Sequence, residues 1–175
     1  MRTVRVGRFG SARVWLDEPA EAAAPADAVL CRQIRPGHVP PRRKSVCIEA
    51  AIPRGARTEY GLLGITSVGG GQELLVELPI SASGSEWHSP LVASSEQASV
   101  GLRPEYGDAI LGAIEETATG RIGPGVLRLS QAACGLVGSS RNFMARLARA
   151  AVEILAADVA SDSNLEQLLS RFLLE

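Results

Sequence analysis

The sequence predicts an α+β domain, a mostly antiparallel sheet with two helices packed on one of its faces. Between Ser45 and Ile80 the runs SVCIEAAI, GLLGITSV and ELLVELPI carry apolar residues in strand-like order. Further on, two segments repeat apolar residues at helical spacing, and the strand-like run GVLRLSQA lies between them. An order of strands, helix, strand, helix suits a sheet covered on one side.

Each element has its own local signal. Val4 and Val6 alternate with Arg5, and Ala12, Val14 and Leu16 alternate with Arg13 and Trp15. With Gly7 and Gly10 around the turn, this is an N-terminal hairpin. The Ala- and Pro-rich stretch from Asp17 to Asp27 is a connector, AVLCRQI a short apolar element, and RPGHVPPRRK a proline-stiffened basic loop. Gly69, Gly70, Gly71 and Gln72 join the second and third central strands, and an extended stretch is expected from Pro90 to Ala93. Pro104 suits the first turn of a helix whose buried face is Tyr106, Ile110, Ala113, Ile114 and Thr117, with Gly120 ending it. The second helix, capped by Ser139, buries Phe143, Leu147, Ala150, Ala151 and Ile154. Ser163 and Glu166 form a capping box that opens a last helix striped with Leu165, Leu168, Leu169, Phe172 and Leu173. The expected organisation is an N-terminal hairpin and extension over 1–42, a sandwich over 43–157 and an added C-terminal helix over 158–175.

Composition narrows the function classes. The 175 residues are 46% hydrophobic and 21% charged, near the globular average, so the chain is expected to fold. No apolar run approaches the ~20 residues a membrane span needs, and the first ten residues lack the apolar core of a signal peptide. Cys31, Cys47 and Cys134 form no CxxC pair and are expected to be reduced thiols of a cytoplasmic protein. Charge is segregated. Arg32, Arg35, Arg42, Arg43, Lys44, Arg54 and Arg57 are opposed only by Glu49, whereas eight acids between Glu73 and Ala118 are opposed only by Arg103. Such a dipolar chain has two readings, a solvated surface of mixed charge with no aromatic ladder among its arginines, or a face that steers toward an anionic partner.

Three segments, in order, resemble domain IV of elongation factor G and of the tetracycline-resistance ribosomal protection proteins. SVGGGQELLVELPI resembles that domain's glycine-rich turn and strand, and LRPEYGDAILGAIEE, with Pro104, Glu105 and Tyr106, its Pro-x-Glu-Tyr helix. GLVGSSRNFMARLARAAVEIL resembles its second helix, which opens on Val-Asp-Ser-Ser. The resemblance covers about two thirds of the chain. It implies a two-layer sandwich of the ribosomal-protein type with a left-handed β-α-β crossover, against the usual hand. It also implies a rigid finger whose tip loops enter the small-subunit decoding region beside transfer RNA. Gly135 stands where elongation factor G carries its tip histidine, and Gly138 where the family has Asp. GTP hydrolysis is not expected of these residues: Lys44, the only lysine, sits in RRKS without the glycine loop of a Walker-A motif.

Other candidate chemistry competes with plainer structural roles. GLVGSS resembles the phosphate-binding loop of small-molecule kinases on a related sandwich, which would make Gly138, Ser139 and Ser140 a site for a phosphorylated ligand; the plainer role is a helix cap. Ser85 with His88 has no orienting acid in view for nucleophilic catalysis, and Cys31 with His38 has no second ligand pair for zinc. The sequence therefore points to a non-catalytic binding module without cofactor or metal. Its expected partner is ribosomal RNA or a protein, not a membrane. The expected contact residues are Gly69, Gly70, Gly71, Gln72, Gln131, Cys134, Arg42, Arg43 and Lys44. The last helix either docks on its own domain or, left exposed, closes a homodimer.

Overall fold

A computed structural model describes residues 1–18, 20, 22–89, 91, 97–157 and 161–174. The strands are β1 (Arg2–Val6), β2 (Gly10–Leu16), β3 (Ala28–Ile34), β4 (Ser45–Arg54), β5 (Arg57–Gly69), β6 (Leu74–Ile80), β7 (Glu86–Trp87), β8 (Ala98–Val100) and β9 (Gly125–Gly135). A 3-10 turn at Pro104–Tyr106 leads into α1 (Gly107–Ala118), and α2 (Arg141–Ala156) and α3 (Asp162–Leu174) follow. The mixed α+β class is as expected. The main sheet runs β1-β2-β4-β5-β9-β6-β3, with β7 and β8 forming a flap beside β9.

Residues 1–42 are not an appendage. They supply three strands of this sheet, β2 beside β4 and β3 beside β6. The Gly69–Gln72 turn does not close a hairpin either. It arches over the start of β9, which inserts between β5 and β6, antiparallel to one and parallel to the other. A parallel neighbour needs a crossover connection, and α1 provides it.

Strand periodicity sorts the residues. In β4, Val46, Ile48, Ala50 and Ile52 join one large hydrophobic cluster with all three helices, while Cys47 and Ala51 belong to smaller clusters with Trp15, Ala20, Ala22 and Trp87. Both faces of β4 are thus covered, which is why its sequence is almost continuously apolar. β9 changes phase midway. Ser130 is an extra residue between Ile65↔Leu129 and Gly64↔Gln131, so Leu127 and Leu129 before the bulge and Ala132 and Cys134 after it all reach the large cluster.

All five residues expected on the buried face of α1 are buried, as are the five of α2. Pro104 opens the 3-10 turn as expected, but α2 is capped by Ser140, whose Oγ accepts from Phe143 N at 3.1 Å. Likewise Ser161, not Ser163, accepts from Asn164 N at the start of α3. In α3, Leu165, Leu169 and Leu173 are buried in the chain's own core, against α2 and β1. The stretch expected at Pro90 to Ala93 lies outside the described residues except for Leu91, which is in a turn. Among the described residues no helix is long and apolar enough to cross a membrane.

Candidate nucleic-acid interface

The basic loop after β3 is a strap across one end of the sheet, fastened by main-chain bonds. Gly120 N donates to Arg35 O, Gly37 N to Ile122 O, Gly123 N to Val39 O, and Arg42 N to Leu155 O at the end of α2. At the strap's close Asp17 Oδ1 accepts from Lys44 N at 2.6 Å and Ser45 N at 3.2 Å, and Ser67 N donates to Lys44 O at 2.7 Å. Gly37 is tightly held: a Cβ there would lie 2.5 Å from the Arg121 carbonyl carbon. The strap brings Arg35, His38, Arg42, Arg43 and Lys44 to the end of the sheet from which Gly69–Gln72 emerges.

This tip stands clear of the molecule. A Cβ at Gly69, Gly70 or Gly71 would touch nothing within 4 Å, and Gly70 (φ 136°) and Gly71 (φ 79°) adopt backbone angles that favour glycine. Close backbone approach to a ligand is one use of such a turn.

The cations at this end divide into two groups. Arg121 donates to both oxygens of Glu153 at 2.6 and 2.8 Å, and Arg128 donates to Glu77 at 2.7 Å. The Arg121 contact raises its own pKa and holds the Glu153 carboxyl below its usual range. Arg43 pairs with Asp17 at 3.4 Å. Arg35, Arg42 and Lys44 are exposed and have no acidic partner among the described residues. Exposed Glu73 is their acidic neighbour just past the tip. Val39 and Val68 add exposed apolar surface there, at 55% and 59%.

The remaining expected contact residues lie elsewhere. Gln131 sits mid-strand beside the bulge, its Oε1 accepting from Ser130 at 2.7 Å. Cys134 is buried, donates to Gly101 O at 3.4 Å, and has its thiol pKa pushed up to about 11 by burial. It has no surface to offer a partner. Gly125 pairs with Gly69 and Cys134 with Gly61, so Gly69–Gln72 and Gly135–Ser140 lie at opposite ends of β9. At the rise of an antiparallel strand that is roughly 30 Å. The two glycine-bearing segments do not form one tip.

The Gly135–Ser140 loop is occupied by its own bonds. Ser139 Oγ donates to Tyr60 O at 2.6 Å and accepts from Gly135 N at 2.8 Å, while Ser140 caps α2. A Cβ on Gly138 would lie 2.3 Å from Thr58 O, so this glycine serves chain packing. The Ser139 hydroxyl is used both as donor and as acceptor, and Ser140 Oγ serves as the cap of α2.

One polar cluster gives little sign in the sequence. Glu49, fully buried on the sheet face away from the helices, accepts from Arg13 Nε at 2.6 Å, Tyr60 Oη at 2.7 Å and Trp87 Nε1 at 3.3 Å. Arg13 Nη2 also contacts this carboxylate, and reaches Ser89 Oγ at 3.4 Å. Burial, then the Glu49 charge, push the Tyr60 hydroxyl and the Cys47 thiol well above their ordinary pKa values. Both carboxylate oxygens are engaged, and the donors come from β2, β5 and the flap. The cluster fastens the flap to the sheet. The only sequence hint is an acid at a position of β4 where an apolar residue would be expected.

His88 is exposed on the flap and faces Glu86 at 3.9 Å; Cys31 is exposed on β3. Among the described residues no group of three or more His, Cys, Asp or Glu is placed to hold a metal ion. Compared with known proteins, the chain matches no family model, no curated protein and no solved structure.

Proposed function

We propose that the chain is a non-catalytic, cytoplasmic binding module that grips RNA, ribosomal RNA in the first instance, with its strap-and-tip end. The observation that carries this reading is the convergence of exposed Arg35, Arg42 and Lys44, none of them in a salt bridge among the described residues, on the end from which Gly69–Gln72 projects. Arginine forks and a lysine point charge suit phosphate oxygens, and bare glycine backbone admits a bulky polyanion. The resemblance to elongation factor domain IV supports the same class of ligand, and we read the fold as a two-layer sandwich of that type. The parallel β6–β9 pair joined through α1, and the cluster that the helices share with alternate strand residues, favour it. Because the second glycine-bearing segment lies at the other end of β9, we assign contact to the strap end alone.

The test is co-sedimentation with small ribosomal subunits over a range of salt. The module should pellet with subunits at low salt and be released steeply as salt rises. An Arg42→Ala/Lys44→Ala variant should be released at lower salt. No association of the wild type at low salt would remove this reading.

A further inference from the structure

We propose that the recess beside the strap receives an unpaired nucleobase, so that the preferred ligand is RNA offering a single-stranded or bulged nucleotide rather than uniform duplex. This deepens, and rests on, the RNA reading of the strap end. The recess is open to solvent on one side and holds about 380 Å³ between the strap, the turn after α1 and the end of α2. Val39, Pro40, Ile122 and Ala156 give it apolar walls, and His38 and Arg121 are its polar members. Predominantly apolar walls with few polar groups suit a flat heterocycle and offer little to a phosphate. RNA sequences are commonly read through unstacked bases laid on aromatic rings or guanidinium planes, and His38 and Arg121 are the lining residues that offer them here.

Its position fits the same ligand. Gly123 N donates to Val39 O at 2.8 Å, and Gly70 N reaches Pro124 O at 3.5 Å, so the recess adjoins the root of the tip. On the other side Arg42 N donates to Leu155 O, next to Ala156. The recess therefore lies between the root of the glycine turn and Arg42. Arg121 is tied to Glu153 and also donates to Thr117 O at 3.3 Å, which makes it a fixed wall instead of a phosphate-seeking arm. The work is divided: Arg35, Arg42 and Lys44 attract the backbone, and the recess takes the base. An acidic polypeptide would satisfy the cations but leave the apolar recess empty.

The experiment measures binding of a labelled RNA strand of about a dozen nucleotides, the length of a typical single-strand site. The same sequence as a blunt duplex and a polyglutamate competitor are measured beside it. The strand should bind about tenfold tighter than the duplex, the size expected from stacking one base, even though the duplex carries more charge. Ala156→Leu, which narrows the recess with a good helix former, and His38→Ala, at an exposed position, should each remove that preference. Urea unfolding at the wild-type midpoint shows that both variants fold. Equal binding of strand and duplex by the wild type overturns the inference and leaves the RNA reading standing. So does an unchanged preference in both variants. Displacement of the strand by polyglutamate at equal charge also overturns it. If wild type binds neither RNA at low salt, the RNA reading itself fails, and this inference with it.

Discussion

Ser67 donates its backbone N–H to the carbonyl of Lys44 at 2.7 Å, tying the chain's only lysine to the strand that ends in the glycine tip. The backbone that carries the charge and the strand that carries the tip are therefore joined directly. Removing Lys44 and Arg42 as alanines should flatten the slope of log affinity against log salt by about 1.5, the share of two phosphates on a single strand. Binding isotherms at several salt concentrations measure it. An unchanged slope would place the phosphate contacts elsewhere.

Two glycines of β5, one inside the strand and one at its end, should behave oppositely. At Gly61 a Cβ would lie 2.7 Å from Met144 Sδ and 2.8 Å from Leu147 Cδ1, so Gly61→Ala should cost about 1–3 kcal/mol in urea unfolding. Gly69→Ala meets open space and should leave stability unchanged while weakening RNA binding.

The Glu49 cluster predicts a large loss. Glu49→Ala leaves the Arg13 guanidinium, only 15% exposed, without its partner, which should cost about 3–5 kcal/mol. Tyr60→Phe removes a single donor to the carboxylate and should cost about 1.5–3 kcal/mol. Trp87 donates to the same carboxylate, so its fluorescence should report flap release in the first variant.

Acid should loosen the contact between α2 and the turn after α1. The Glu153 carboxyl is held low, chiefly by its hydrogen bond from Arg121. A depressed acid stabilises the fold above its unfolded value, about pH 4.3, and that stabilisation disappears as pH falls through the folded value. Arg121→Ala should therefore reduce urea stability at neutral pH and flatten its fall below about pH 5. Parallel pH profiles of the two proteins would show no difference if the pair contributes nothing.

Thiol labelling should separate the three cysteines. Cys31 is exposed, whereas Cys47 and Cys134 are buried with raised pKa values. One thiol should react rapidly in the native protein, and the other two only after urea is added.

The helices were legible in the sequence because their signals are local. Tyr106, Ile110, Ala113, Ile114 and Thr117 recur at the helical period, and that face is the one buried. What escaped depends on distant pairing. Nothing in AVLCRQI says that it lies beside β6, and nothing in the hairpin says that it extends the main sheet. Caps shifted for a similar reason. Ser139 and Ser140 are equivalent as sequence, but Tyr60 O, far along the chain, claims the first hydroxyl. At the candidate site, charge segregation pointed to Arg42, Arg43 and Lys44. It could not show that Gln131 and Cys134 sit away from them, because that separation is fixed by the direction of β9.

The strap is fastened by peptide groups, which every amino acid but proline carries in full. Its moorings at Arg35 and Arg42 use only carbonyl and amide, so the side chains there are free of any duty to the scaffold. Rewriting those letters, together with Lys44, would give the same chassis a different address: acidic replacements would turn this end toward cationic ligands and leave the architecture beneath it intact.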